Sequence, residues 1–259
     1  MKTEKQIKIK GQAVSKGKQP LVCCPLVASN ISDLLEEARA IIVKTPDLIE
    51  WRVDFFTDIS DTDKVVEAAR QIKSVIADIP LLFTRRAEHE GGQRIPLSED
   101  EVVQMYTAVC ASRSVDLIDY ELSNPADNLD YLRALCQQHQ LGLVVSYHNF
   151  SCTPSEDDIV QKLLDAEAAG ADIAKVAVMP DGLDDVLRLL SATLKANQAL
   201  QIPLITMSMG AYGSLSRMIG GVFGSAVTFA VGRTSSAPGQ MNIDEVNTVL
   251  EIVSKQLSE

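Results

Sequence analysis

A lysine stands inside an otherwise apolar run, "DIAKVAVMP" (172–180), where Ile173, Ala174, Val176, Ala177 and Val178 surround Lys175. Removing an ammonium from water lowers its pKa. A desolvated lysine is then a nucleophile able to form a Schiff base with a carbonyl substrate. A histidine, His148, closes a second run of the same kind, "LGLVVSYHNF" (141–150). A Schiff-base lysine beside a histidine is the apparatus for abstracting a proton α to a carbonyl: the iminium is the electron sink and the imidazole shuttles the proton. Aldol cleavage and β-elimination of water both use that logic. Structural readings stand beside these. Lys175 could simply be ion-paired with a strand carboxylate such as Asp119, and a lone histidine is commonly a hydrogen-bonded structural residue.

Other polar residues close runs of the same type. Glu50 and Arg52 in "DLIEWRVD" (47–54) are two apart and share a face, while Trp51 points the other way. They could equally be a salt-bridged pair within a barrel layer. Arg85 and Arg86 end "PLLFTRR" (80–86) and lead into "AEHEGGQRIP", which carries His89, Glu90 and a Gly-Gly pair. Taken alone, His89 and Glu90 read as solvated loop residues. Asp119 and Glu121 share a face of "VDLIDYEL" (115–122), and Met207 and Met209 in "TMSMG" read as pocket lining. The arginines argue for a substrate bearing a carboxylate or phosphate, which a guanidinium can grip bidentately.

These residues need a frame. Eight β-rich runs occur at 21–27, 47–54, 80–86, 115–122, 141–150, 172–180, 202–210 and 226–232. Each is followed by a segment with helical spacing of apolar residues, usually opened by a capping Ser, Thr, Asp or Asn. Examples are "SDLLEEARAIIV", "DTDKVVEAARQIKSVI", "SEDEVVQMYTAV" and "NIDEVNTVLEIVSKQL". Near-continuous apolar strands alternating with amphipathic helices imply a parallel sheet covered by helices. Eight such units favour an α/β fold of the closed (β/α)8 barrel type, with its active site at the C-terminal strand ends. The fifth and sixth runs would be neighbours about 4.8 Å apart, so His148 and Lys175 can share one cavity. The opening "QIKIKGQAVSKGKQPLV" alternates with period two around Gly11, which suggests a hairpin within about residues 1–20 that closes the bottom of the barrel. Residues 1–259 are expected to form a single barrel domain.

Composition narrows the function. A chain of 259 residues, 46% apolar and 23% charged, reads as a soluble globular protein. Its net charge of −11 argues against nucleic acid, though local arginines can still hold a small anion. The five cysteines are odd in number and lack a C-x-x-C spacing, which suggests reduced thiols and a cytoplasmic location. No signal-peptide h-region and no apolar run of roughly 18 to 20 residues is present, so no membrane partner is expected. Three histidines without H-E-x-x-H make a zinc site unlikely on sequence grounds.

The ordered set "EWRVD" (50–54), "EGG" (90–92), "SYHNF" (146–150), "AKVAVMP" (174–180), "TMSMG" (206–210), "SR" (216–217) and "SAPGQ" (236–240) resembles the type I 3-dehydroquinate dehydratase family. The resemblance implies a (β/α)8 homodimer that dehydrates 3-dehydroquinate to 3-dehydroshikimate in the shikimate pathway, without metal or cofactor. By motif, Lys175 would form the imine. His148 would remove the proton beside it and later protonate the leaving hydroxyl, with Glu90 as its carboxylate partner. Glu50, Arg52 and Arg86 would hold substrate hydroxyls, and Arg217 the carboxylate. Arg86 is preferred to Arg85 because it stands four residues before Glu90, as the motif requires. Ser236 and Gln240 would belong to a loop that closes over the substrate. Where the family often has an acidic residue after the histidine, this chain has Asn149, which should face away from His148. Two alternatives remain: a Schiff-base aldolase on a sugar phosphate, which would need a glycine-rich phosphate cradle after strands seven and eight, and a non-catalytic binding barrel, which would leave Lys175 and His148 without a purpose.

Overall fold

The computed structural model describes residues 5–9, 12–14 and 19–257. Eight parallel strands form one sheet: β3 (Leu21–Leu26), β4 (Leu48–Arg52), β5 (Leu81–Thr84), β6 (Leu117–Glu121), β7 (Gly142–Asn149), β8 (Ile173–Val178), β9 (Leu204–Ser208) and β10 (Val227–Phe229). Their order runs β10-β3-β4-β5-β6-β7-β8-β9, with every pairing parallel. The ring is nearly closed where Leu204 bridges Ser225 and its carbonyl accepts the Ala226 amide at 2.8 Å. Between strands run α1 (Ile31–Ile42), α2 (Thr62–Ile76), α3 (Glu99–Ser112), α4 (Ala126–His139), α5 (Glu156–Ala168), α6 (Leu183–Ala199) and α7 (Gly210–Phe223), and α8 (Ile243–Leu257) follows β10. This is the (β/α)8 barrel expected from the alternation.

Capping fixes several helix starts. Asp61, Ser98 and Ser155 accept backbone amides of the first turn, and Ser98 completes a capping box with Glu101. In α1 the cap is Asn30 rather than the Ser32 that opens the sequence pattern, because Asn30 accepts the Asp33 amide. Strand ends also differ from the apolar runs. β5 stops at Thr84, since the Arg85 amide turns to Tyr106 Oη and the Arg86 amide to Asp54.

Period-two alternation divides the barrel into two cores. Outward residues pack under the helices, where Trp51, Phe83, Tyr106 and Tyr120 form an edge-to-face series with centroids 5.2–5.7 Å apart. Inward residues begin with an apolar floor of Leu21, Leu48, Leu82, Leu117, Val144, Ile173, Ile205 and Val227. Beneath them lies the expected hairpin, β1 (Ile7–Ile9) paired antiparallel with β2 (Gln12–Val14), its connection at residues 10–11 lying outside the described residues. Ile7 and Ile9 are buried against that floor, which seals the N-terminal end of the barrel.

Candidate active site

Two residues above the floor, the same strands turn polar: Glu50, Thr84, Asp119, Ser146 and Lys175 face inward with Cys23, Met207 and Phe229. One step higher come Arg52, Arg86, Glu121 and His148. An open cavity lies over these steps. Glu50, Arg52, Arg86, Glu90, His148, Lys175, Ser236 and Gln240 line it, with Phe150, Met207, Met209 and Phe229 among its apolar walls. Eight of the sequence-derived candidates therefore converge on one space.

Lys175 Nζ donates to Asp119 Oδ2 at 2.8 Å, lies 3.5 Å from Glu50 Oε1, and sits 4.9 Å from the centroid of Phe229. Its apolar sequence neighbours Ala174, Val176 and Val178 point outward to the helices, so its polar neighbours are carboxylates. Asp119 is completely buried and also accepts from Arg86 Nη2 at 2.7 Å and Ser146 Oγ at 2.6 Å. The ion pair weighed from sequence is real, and it stands inside the cavity wall. Arg52 clamps Asp54 with two bonds of 2.8 Å rather than Glu50, which instead accepts from Thr84.

His148 lies one strand from Lys175: Ser146 pairs with Lys175 and His148 with Ala177 across β7 and β8. Its Nδ1 is 3.0 Å from Glu90 Oε2, which also accepts the His148 amide. Glu90 reaches this position from a short 3-10 turn, Glu88–Glu90. The following glycines make the approach possible. Gly91 has φ +84°, and a Cβ on Gly92 would fall 1.9 Å from the Arg86 carbonyl oxygen. Asn149 faces away, its Oδ1 accepting the Ser151 and Cys152 amides.

The adjacent arginines separate cleanly. Arg86 lines the cavity and binds Asp119, Glu121 and Ser146, whereas Arg85 turns to Glu99 at the start of α3. Arg217 is buried behind Met207 and Phe229 instead of standing on the cavity wall. Its contacts are weak, to Met207 Sδ at 3.7 Å and to the Phe229 and Pro238 carbonyls at 3.4 and 3.5 Å, and its Nε has no partner. Ser236 and Gln240 bond to each other, and the Ser236 carbonyl accepts from Arg52 at 3.4 Å. Gly239 seats this loop on Gly210, where a Cβ would meet the Gly210 carbonyl oxygen at 2.0 Å.

Burial and neighbouring charge set the protonation states. Burial, then the Arg86 and Lys175 charges, hold the His148 imidazole well below its ordinary pKa, so it rests as a free base. Burial lifts Glu90 to about 7 against the pull of Arg86. Burial also opposes ionisation of Asp119, but Arg86 and Lys175 outweigh it and keep that carboxylate charged. Burial alone lowers Arg217 to about 10. A neutral base, a lysine amine and an underpartnered guanidinium thus share one end of the barrel.

Asp54, Thr84, Ser146 and Ser123 also belong to this network. Three of them had a usable signal: Thr84 and Ser146 precede Arg86 and His148 by two residues, and Asp54 follows Arg52 by two. Ser123, in the loop after β6, had none.

A family model described as Type I 3-dehydroquinase matches residues 22–256. The 3-dehydroquinate dehydratase of Aromatoleum aromaticum is 52% identical over 257 residues, covering 99% of each chain. The crystal structure of 3-dehydroquinate dehydratase from Geobacillus kaustophilus superposes with a TM-score of 0.94 at 46% identity, covering 97% of each chain. The type I enzyme of Clostridium difficile, solved with covalently modified comenic acid, superposes at 0.93 and is 36% identical, with coverage of 98% and 100%.

Proposed function

We propose that this chain, which belongs to the type I 3-dehydroquinase family and is a 3-dehydroquinate dehydratase of the shikimate pathway, removes water from its substrate through an imine on Lys175, with His148 moving the protons. One observation carries this reading: Lys175 and His148 line the same cavity from neighbouring strands, while Glu90 occupies Nδ1 and leaves Nε2 for substrate.

Lys175 gives up one proton and adds as the amine to the ketone carbon; the carbonyl oxygen leaves as water, taking that proton and one from the nitrogen, so an iminium remains. His148 Nε2 takes the adjacent C–H proton, and the bonding pair becomes part of an enamine. The enamine expels the β-hydroxyl, to which His148 returns its proton, so water departs and the imidazole is neutral again. Water then hydrolyses the conjugated iminium, releasing the enone and returning the Lys175 amine with its proton. The iminium is the electron sink, so no step needs a metal or cofactor. Glu90 orients the ring and stabilises the transient imidazolium. The underpartnered Arg217 guanidinium suits the substrate carboxylate. Glu50, Arg52 and Arg86 are placed for hydroxyls, and Ser236 and Gln240 for a cover that excludes water. The covalently modified ligand of the Clostridium difficile relative supports a covalent route.

The finer setting is also our inference: one domain, acting in the cytoplasm as a homodimer. The free state of all five cysteines supports a reducing compartment, and among the described residues no helix is long and apolar enough to cross a membrane. For the dimer, α7 presents exposed Tyr212, Leu215 and Val222 beside Leu183, Leu187 and Leu194 of α6. On a chain of net charge −11, an apolar face is where two copies meet with least repulsion.

Borohydride added with 3-dehydroquinate tests the mechanism. Peptide mapping should find a reduced adduct on Lys175, and an adduct elsewhere, or none during turnover, would overturn the imine.

A further inference from the structure

Glu90 turns one oxygen to His148 and the other outward. Oε1 accepts from Ser123 Oγ at 2.7 Å, and that hydroxyl oxygen lies 3.3 Å from Nε2 of His89. Glu90 is buried, whereas Ser123 and His89 are exposed. Four groups therefore run in series from the cavity to solvent: His148, Glu90, Ser123 and His89. We propose that Ser123 is a positioning residue that acts through Glu90 to keep its carboxylate charged, and so extends the reaction to lower pH, while His89 sets how far the Ser123 proton is committed to Glu90; this rests on the acid–base reading of His148 above.

The argument turns on a single hydroxyl proton with two possible acceptors. A neutral imidazole with its lone pair on Nε2 can accept the Ser123 proton and draw it away from Glu90. A protonated imidazole can only donate. Ser123 Oγ must then accept from His89, and its own proton is committed to Glu90. A donor at position 89 therefore tightens the hydrogen bond that favours the charged carboxylate.

The other groups facing this series are fixed. Glu90 faces Arg86, at 3.9 Å, together with Glu121 and His148. His148 faces Arg86, Lys175, Asp119 and Arg52. Burial and then Arg86 have the largest effects on Glu90, and the Ser123 hydrogen bond works in the same direction as Arg86. Ser123 and His89 are thus the adjustable part of an otherwise buried arrangement.

Carboxyl 13C titration of Glu90 in the ligand-free protein, assigned by difference with Glu90→Gln, reads the effect without turnover. It is paired with the acid limb of kcat. Ser123→Ala should move the titration and the limb upward by roughly 0.5 to 1 pH unit, the equivalent of one lost hydrogen bond, whereas His89→Leu leaves Glu90 as the acceptor of the Ser123 proton and should not move them upward. His89→Lys, a permanent donor, should titrate at or below wild type. In the Ser123→Ala background, the choice of residue at position 89 should cease to matter. The proposal is overturned if Ser123→Ala leaves the titration unmoved, if Leu or Lys at 89 titrates above wild type, or if the effect of His89 persists without the Ser123 hydroxyl. Failure of the imine reading would appear as a missing Lys175 adduct with the carboxyl titrations unmoved, so the two failures are distinguishable.

Discussion

The floor and the mouth of this barrel are built from the same strands, one inward step apart. β4 goes from Leu48 to Glu50, β6 from Leu117 to Asp119, β7 from Val144 to Ser146 and β8 from Ile173 to Lys175. The floor is apolar and capped by Ile7 and Ile9, so it gains the burial free energy of a core. The mouth is as thoroughly buried but holds Lys175, Arg86, Asp119 and Glu121 in close salt-bridge contacts, an arrangement that seldom stabilises more than a hydrophobic replacement would. Stability and chemistry are therefore separated by about 7 Å along each strand. Substitutions should sort by step.

Lys175→Met provides the largest contrast. Turnover, followed by enone absorbance, should fall by roughly 10⁴-fold or more. Calorimetry should show no loss of stability, because Asp119 keeps Arg86 as partner. A variant that loses stability along with activity would break the division between floor and mouth. Asp119→Asn sharpens it instead. That change leaves Arg86 and Lys175 short of a buried carboxylate, and should destabilise by about 3 to 5 kcal/mol in urea as well as lower turnover. In the floor, Leu117→Ala should cost about 4 kcal/mol through its cavity while the folded enzyme keeps its turnover within a few-fold. A selective loss of turnover there would mean that the floor shapes the site directly.

The sequence carried the frame of this division better than its contacts. Alternation of apolar runs and amphipathic segments is local, and it placed the eight strands, the hairpin and the inward faces of Glu50, Arg52, His148 and Lys175. Motif spacing brought Glu90 to His148 and separated Arg86 from Arg85. Partner choice is set by lateral register, which no local pattern encodes. Arg52 binds Asp54 rather than Glu50, and Lys175 meets carboxylates on β4 and β6, four and two strands away, instead of the apolar residues beside it in the chain. Arg217 matched by motif, but its place behind the wall depends on how α7 packs over β9 and β10. Ser123 is a loop hydroxyl, and only the fold reveals its link to Glu90.

Glu90 offers the finest test, because stability and activity should respond to pH in opposite directions. Burial lifts its pKa from 4.5 to about 7 in the folded chain. Between those values the unfolded chain releases a proton that the folded chain retains, so stability falls as pH rises and the full penalty is present above pH 7. The gap corresponds to about 3 kcal/mol. Under the proposed mechanism activity runs the other way, since the charged carboxylate would support the His148 imidazolium, and turnover should decline below neutrality towards tenfold per unit. Glu90→Gln removes the titrating group. In urea titrations it should be about 3 kcal/mol more stable than wild type at pH 8, a gain that shrinks below about 1 kcal/mol at pH 5. Its turnover should be low at both. Equal stability of the two proteins at pH 8 would show that the mouth bears no cost at Glu90, and the separation of floor from mouth would then rest on Lys175 and Asp119 alone.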